Sequence, residues 1–323
     1  MKLCIFGAGA VGGHLAAKLA AAGNDVSVVC RGAHLQAIRA RGIKLLHGSE
    51  TIQGKVRASE RAADLGAQDF VIVTLKASLL GAFAESCAPL LGRDTAVVFA
   101  QNGIPWWYGR DLRFLDPHQA LVRAIAPERV IGGVIFSANE VVEPGVIFNH
   151  VPGRNMLVVG EADDRNSTRI QALRETLDSA GMASPATSNI RQAIWSKLVQ
   201  NLGTATLCTL TGATVGEMRS DGELAKLASR LGAEGRSIAA AHGIDVDGAP
   251  ERPGGGHGSG LTGHKPSMLQ DFERGRPMEI DALLMAPLAF ARAREVPVPL
   301  LEVVAPLIAR KAAAKGLYAP GEA

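Results

Sequence analysis

A glycine-rich turn near the first residue constrains the fold of this chain more than any other feature. Gly7, Gly9 and Gly12 of "CIFGAGAVGGHLA" have the GxGxxG spacing, directly after an apolar run and at the start of a helical pattern. In a strand–turn–helix unit such glycines permit a tight turn, the close approach of a pyrophosphate and close packing of helix on strand. Free N–H groups at the start of the helix attract phosphate. The predicted dinucleotide-binding turn consists of Gly7, Ala8, Gly9, Ala10, Val11 and Gly12.

Apolar strands and helices alternate through the first half of the chain, which indicates a parallel sheet covered on both faces. The predicted elements are a strand over Lys2–Phe6, a helix over about Val11–Ala22, the strand "DVSVVCR", a helix over His34–Arg41, and the strands "DFVIVTLKA" and "TAVVFAQNG". "RVIGGVIFSANEV", "GVIFNHV" and "NMLVVGE" are expected to complete the same sheet, some of them antiparallel, before a helix over about 167–180.

After about residue 190 the pattern becomes helical. Helices are predicted over residues 192–204, 222–242, 265–274, 278–294 and 300–315. We therefore predict an α/β protein with a doubly wound, Rossmann-type domain over residues 1–186 and an all-helical domain over residues 187–323.

The end of the second predicted strand indicates which dinucleotide is bound. An NAD site places a carboxylate there, close to the ribose 2′-hydroxyl. Asp25 stands at the beginning of the strand, which is the wrong end, whereas Arg31 follows its last residues. An arginine can hold a 2′-phosphate, so NADPH or NADP⁺ is the expected cofactor.

Lys76 and Asn102 follow two further predicted strands, in "VTLKA" and "FAQNG". Ligands of open α/β sheets bind beyond the carboxyl ends of the strands. A strand-end lysine and an Asn-Gly turn are also common without any function. Because both share this edge with the glycine turn, we expect them in the cofactor or active site.

Lys197 and Asn201 are four residues apart in an apolar helical stretch, so their side chains share one helix face. A lysine ammonium can protonate the alkoxide that forms when a carbonyl accepts hydride, and an adjacent amide can orient it. The alternative is a lysine whose stem packs on the core while its charge reaches water.

Acidic residues accompany an apolar pattern in "HKPSMLQDFERGRPMEIDALL". They either frame a polar cleft or form a charged outer helix face, and the pattern alone leaves both open. The residues concerned are Ser267, Asp271, Glu273, Glu279 and Asp281.

Composition excludes several classes of protein. A net charge of +3 over 323 residues does not support a nucleic-acid partner. The four scattered cysteines lack metal-ligand spacing and indicate reduced core thiols of a cytoplasmic protein. No apolar run is long enough for a membrane span, and glycines split the N-terminal run that superficially resembles a secretory signal. His257 and His264 do not form a convincing metal site, so none is predicted.

The chain resembles the ketopantoate reductases (2-dehydropantoate 2-reductases) over essentially its whole length. The motifs that carry this resemblance are "GAGAVG", "VCRG", "VTLKA", "QNG", "WSKLVQN" and, above all, "PSMLQDFERGRPMEID". It implies a helical domain like that of the 6-phosphogluconate dehydrogenases. It also implies NADPH-dependent reduction of a 2-keto acid to a D-2-hydroxy acid, by default 2-dehydropantoate to (R)-pantoate in pantothenate biosynthesis.

The resemblance further implies roles for single residues. Lys197 would be the general acid, and Asn201 and Ser267 would bind substrate. Glu279 would lie by the cofactor. Arg31, Lys76 and Asn102 would contact NADPH, with Asn102 near the reacting centre and the substrate. The family also implies hydride transfer without a metal, and a homodimer through the helical domain.

The sequence departs from the family pattern where substrate would bind. Ala205 and Val215 stand where well-described ketopantoate reductases carry asparagines, which makes the pocket more apolar and can redirect specificity. Trp106, Trp107 and Tyr108 either pack a loop or form an aromatic wall. The alternatives are therefore a reductase of another branched or aromatic 2-keto acid, or a non-catalytic NADP(H)-binding regulatory protein. Residues 253–263 form either a flap or an ordinary surface loop.

Overall fold

The computed structural model describes residues 1–109, 112–251, 253 and 263–319. Its Cα positions divide the chain into two compact units. The sheet unit comprises Met1–Gln101, Gln119–Ile190 and Pro250–Gly255, and the helical unit comprises Asn102–His118, Arg191–Ala249 and Gly256–Ala323. The glycine-rich segment that suggested a flap or surface loop falls almost entirely outside the described residues.

The strands, numbered along the chain, are β1 (Lys2–Phe6), β2 (Asp25–Val29), β3 (Ile43–His47), β4 (Glu50–Gly54), β5 (Arg57–Ser59), β6 (Gln68–Val73), β7 (Leu91–Ala100), β8 (Val130–Phe136), β9 (Asn139–Glu143), β10 (Val146–Asn149) and β11 (Met156–Glu161). The helices of the sheet unit are α1 (Ala10–Ala21), α2 (Gly32–Arg41), α3 (Leu80–Ser86), α4 (Ala120–Ala124) and α5 (Thr168–Ser179). The remaining helices are α6 (Ile190–Thr211), α7 (Val215–Ser220), α8 (Gly222–Ala241), α9 (Ser267–Glu273), α10 (Ala286–Ala293) and α11 (Pro299–Ala313).

The main sheet has seven strands in the order β11-β8-β7-β6-β1-β2-β5, all parallel except the edge strand β11. From β5 to β8 this is the Rossmann order, in which the direction of winding reverses between β1 and β6. The central strands are apolar on both faces, and Leu3, Ile5, Ile72 and Val98 are fully buried. The predicted Rossmann-type α/β half and the helical second half are both confirmed.

A second sheet, with the order β4-β3-β10-β9, packs on α1. The prediction that "GVIFNHV" completes the main sheet is therefore wrong, because this segment is β10, which pairs with β3 and β9. The buried side chain of Ile147 packs on Gly13, where an added Cβ would lie 2.7 Å from its Cδ1 atom. The small residue at this position of α1 thus allows β10 to pack closely on the helix instead of joining the main sheet.

Helix α6 is the central element of the helical unit and extends seven residues beyond the predicted end at residue 204. It passes close to α8 at Gly203, where an added Cβ would lie 2.7 Å from the carbonyl oxygen of Ala228. A π turn over Asp281–Met285 leads directly into α10, within one predicted helix. Within the described ranges, no helix is both long and apolar enough to cross a membrane.

Candidate active site

The glycine turn between β1 and α1 lies at the reversal point of the sheet. Gly7 has a φ of +103°, and its carbonyl oxygen accepts a hydrogen bond of 2.6 Å from the Thr74 hydroxyl, which follows β6. An added Cβ at Gly12 would lie 2.2 Å from that same carbonyl oxygen. The turn therefore requires glycine at Gly7 for its φ and at Gly12 for close packing.

The start of α1 has the properties that bound phosphate requires. Its N-cap is Gly9, and neither a capping side chain nor an acidic first-turn residue neutralises the helix start among the residues described. Gly9 is exposed, and a Cβ added there would meet no described atom within 4 Å. Space is therefore open beside the N-cap, and the first-turn N–H groups and positive end of the helix dipole give the turn the chemistry to bind a dinucleotide pyrophosphate.

Two basic residues follow strands of the main sheet at their carboxyl ends. Arg31 is exposed and caps the start of α2, just beyond β2. Asp25 lies at the opposite end of β2, where its carboxylate is 3.7 Å from the Arg57 guanidinium. Lys76 is half-buried at the start of the short 3₁₀ turn Ala77–Leu79 that follows β6. The end of β2 thus presents an arginine rather than a carboxylate.

In the helical unit, the Nζ atom of Lys197 donates a hydrogen bond of 2.6 Å to Oδ1 of Asn102. The two residues are 95 positions apart in the sequence and both are half-buried. Asn201 follows Lys197 one turn later on α6 and is also half-buried. The lysine ammonium is thereby fixed by an amide oxygen, an arrangement that can orient a proton donor.

The aromatic segment after Asn102 packs inside the helical unit. The Trp195 indole N–H donates to the Tyr108 hydroxyl at 2.8 Å, and Phe290 makes edge contacts with both rings. Trp195 is fully buried. Tyr108 therefore anchors the loop, which supports the packing interpretation for this residue. The Arg191 guanidinium carbon lies 5.1 Å from the Tyr108 ring centroid and 5.8 Å from the centroid of Trp107.

The residues expected at the substrate side lie on several elements of the helical unit. Ala205 and Val215 are 5% and 7% exposed, so both contribute apolar surface to the interior. The Val215 N–H donates to the His264 carbonyl oxygen at 2.9 Å, which joins α7 to the segment before α9. Ser267 is the exposed first residue of α9, and Glu279 is half-buried just before the π turn.

Two further contacts, one in each unit, have no signal in the sequence pattern. Thr74 supports the glycine turn, and Tyr318 donates a 2.6 Å hydrogen bond to Asp281. Both contacts join segments far apart in the chain, so no local pattern predicts them. Among the described residues no group of three or more His, Cys, Asp or Glu side chains could hold a metal ion.

Comparison with known proteins gives a consistent result for both halves of the chain. The family model for ketopantoate reductase PanE/ApbA matches residues 3–164, and its C-terminal model matches residues 189–312. A 2-dehydropantoate 2-reductase of Mesorhizobium japonicum is 43% identical over 98% of this chain and 100% of its own length.

Solved structures with the same fold include a 2-dehydropantoate 2-reductase from Geobacter metallireducens. It is 27% identical, with a TM-score of 0.81 over 96% of this chain and 99% of that one. A D-mandelate dehydrogenase solved with NADH and anilino(oxo)acetate has a TM-score of 0.82 at 22% identity, covering 98% of this chain and 100% of its own, and shares the fold. Matched by models of both domains and along nearly its full length, this chain belongs to the ketopantoate reductase PanE/ApbA family.

Proposed function

We propose that this protein is an NADPH-dependent reductase that converts a 2-keto acid to a D-2-hydroxy acid, with 2-dehydropantoate as substrate and (R)-pantoate as product. The observation that carries the proposal is the 2.6 Å hydrogen bond from the Lys197 ammonium to Asn102. A positioned ammonium is what the reduction of a carbonyl requires, since the oxygen gains negative charge as hydride arrives at carbon. Membership of the ketopantoate reductase family supports the same reaction.

NADPH supplies the hydride when it is bound. In the proposed arrangement, the turn from Gly7 to Gly12 binds the pyrophosphate through its N–H groups. Arg31 binds the 2′-phosphate, and Lys76 adds positive charge at the same sheet edge. Glu279 is assigned to the cofactor side of the helical unit.

Lys197 is the proposed general acid, which donates its proton to the substrate oxygen as the carbonyl becomes an alcohol. The Asn102 amide oxygen accepts a hydrogen bond from the lysine ammonium and thereby orients this proton donor in the proposed site. Asn201 lies one turn further along α6, and we assign it together with Ser267 to the substrate. Their amide and hydroxyl groups can bind the carboxylate of a 2-keto acid.

The proposal is tested by steady-state oxidation of NADPH with 2-dehydropantoate and with a panel of branched and aromatic 2-keto acids. Turnover in the usual enzyme range, roughly 1–10³ s⁻¹, with 2-dehydropantoate is the expected result. Turnover with other keto acids alone would identify a different substrate, which the apolar Ala205 and Val215 favour as the second candidate. Tight NADPH binding without any turnover would instead identify a regulatory binding protein.

The cofactor preference is tested in the same assay with Arg31→Ala. Loss of a charge-assisted bond to the 2′-phosphate, about 1.5–3 kcal/mol, should weaken NADPH binding about 10- to 150-fold and NADH binding little. Equal losses for both cofactors would remove Arg31 from the 2′-phosphate site. A homodimer, a cytoplasmic location and a domain boundary near residue 187 complete the proposal, and the dimer is checked by sedimentation.

A further inference from the structure

The π turn that precedes α10 leaves one backbone carbonyl without a donor from its own helix. The Ala286 N–H donates to Asp281, five residues back, rather than to Ala282, four residues back. The next residue that could serve Ala282 is Pro287, which has no N–H group. The Ala282 carbonyl oxygen is therefore available to another segment of the helical unit.

The loop that follows Asn102 uses this carbonyl. The Ile104 N–H donates to the Ala282 oxygen at 2.8 Å, and Ile104 is 1% exposed. Gly103, which lies between Asn102 and Ile104, has a φ of +76°. A Cβ added at Gly103 would lie 2.4 Å from the same Ala282 oxygen. The backbone of the loop thus lies directly against the π turn, at a distance that only glycine permits.

The π turn and the residues just before it are also bonded to the segment that follows α11. The Tyr318 hydroxyl donates to Oδ1 of Asp281 at 2.6 Å, and the Met278 N–H donates to the Leu317 carbonyl oxygen at 2.9 Å. Burial raises the pKa of the Asp281 carboxyl and the Tyr318 hydrogen bond lowers it, so the tyrosine partly offsets the cost of burying this carboxylate. Removing the hydroxyl would leave a half-buried carboxyl that prefers to move toward water.

We propose that Asp281 and Tyr318 are positioning residues that hold the π turn, and through Ala282 and the Asn102 loop fix the ammonium of Lys197. The contacts form one continuous series: Tyr318 to Asp281, Ala282 to Ile104, and Asn102 to Lys197. Neither member of the pair is assigned to substrate or cofactor. The role in catalysis rests on the proposed function, whereas the mechanical connection does not.

Three variants test the connection: Tyr318→Phe, Asp281→Ala and Asp281→Asn. An asparagine oxygen can still accept from Tyr318, so Asp281→Asn should restore what Asp281→Ala loses. We expect kcat to fall about 10- to 100-fold in Tyr318→Phe and Asp281→Ala with a much smaller change in KM, because a displaced acid affects the transition state more than ground-state binding. Amide hydrogen exchange of Ile104 should accelerate in the same two variants, since that N–H loses its acceptor.

A matched control separates this effect from general destabilisation. Asp221 caps α8 in the same unit, and Asp221→Ala removes about 1 kcal/mol of stability at a site outside the series. It should leave kcat and Ile104 exchange unchanged. Normal Ile104 exchange in Tyr318→Phe, or faster exchange with normal kcat, would overturn the proposal, as would a failure of Asp281→Asn to restore activity. If the wild-type protein reduces no keto acid, the exchange result still decides the connection, and the proposed function alone fails.

Discussion

At the scale of a single residue, the proposed reaction depends on the ammonium of Lys197. Its spacing to Asn201 identifies a shared helix face, but the same spacing suits a lysine that only packs its stem on the core. The Lys197–Asn102 contact joins positions 95 residues apart. No periodicity carries that information, because it depends on where a loop returns to α6.

Lys197→Ala should lower kcat by about 10²–10⁴-fold, the usual contribution of a general acid, while the dissociation constant for NADPH stays within a few-fold of wild type. Rapid kinetics and a fluorescence titration measure the two quantities. Lys226→Ala is the control, because Lys226 pairs with Glu223 on the exposed surface of α8. A kcat close to that of the control would end the assignment of Lys197 as the acid.

His14 should make the protein less stable as the pH falls. The side chain is fully buried, and neither ring nitrogen has a partner among the described residues. Burial, with smaller contributions from Lys18 and His47, lowers its pKa from 6.5 to about 3. Below pH 6.5 the unfolded chain therefore binds a proton that the native chain does not, so the free energy of unfolding declines by up to about 1.4 kcal/mol per pH unit toward pH 3.

The change His14→Leu removes this contribution. Urea unfolding measures the free energy of unfolding of both proteins between pH 6 and pH 4. With falling pH, this free energy should decline less steeply in His14→Leu than in the wild type, and the two slopes should differ by about 1 kcal/mol per pH unit. The partly exposed His150, which lies 3.5 Å from Glu140, provides the control variant His150→Leu. Parallel slopes for wild type and His14→Leu would show that the native state accommodates the charged imidazole.

At the scale of elements, the sequence predicts well where periodicity is strong. The strand predicted over Lys2–Phe6 has the same bounds as β1, and the predicted helix over about Val11–Ala22 matches α1 within one residue. The sequence does not predict the second sheet, since β3, β4 and β10 are short and the first two are partly polar. Their pairing depends on the surface of α1, which is a tertiary effect that overrides local preference.

Pro287 should maintain the π turn, because its ring has no N–H and clashes with the carbonyl four residues back in an α-helix. In Pro287→Ala the segment can return to α-helical bonding, and the Ala286 N–H then competes with Ile104 for the Ala282 carbonyl. We expect thermal stability equal to or above wild type, a kcat reduced about 10-fold, and faster exchange of the Ile104 amide.

The matched control for this change is Pro306→Ala, at an exposed proline inside α11. This variant also removes a proline from a helix, and with it the missing N–H group and the ring clash. It should raise thermal stability without affecting kcat. If the two proline variants behave alike in activity and exchange, the π turn has no influence on the Asn102 loop.

At the scale of the whole molecule, residues 102–118 interrupt the sheet unit and belong to the helical unit. No pattern in the sequence predicts that this segment belongs to the helical unit, because its residues have neither strand nor helix periodicity. Their apolar side chains are nonetheless buried, with Ile104 1%, Leu112 6% and Leu115 9% exposed. Burial in an irregular loop is visible only once the packing of the helices around it is known.

A fragment of residues 1–186, the domain expected from sequence, should therefore expose apolar surface. We expect it to bind an apolar dye and to aggregate, because the side chains of this loop lose their surroundings. A fragment in which residues 102–118 are replaced by a Gly-Ser linker is the comparison, and it should stay monomeric and dye-free. Equal behaviour of the two fragments in light scattering would show that the loop packs equally well without the helical unit.

The Lys197–Asn102 bond has one further consequence for catalysis. Because both residues belong to the same compact unit, the orientation of the ammonium is set when that unit folds rather than when the reactants arrive. A positive charge held in place in advance needs little rearrangement as negative charge develops on the substrate oxygen. The chemical step should accordingly carry a small activation entropy, and its temperature dependence should be dominated by enthalpy.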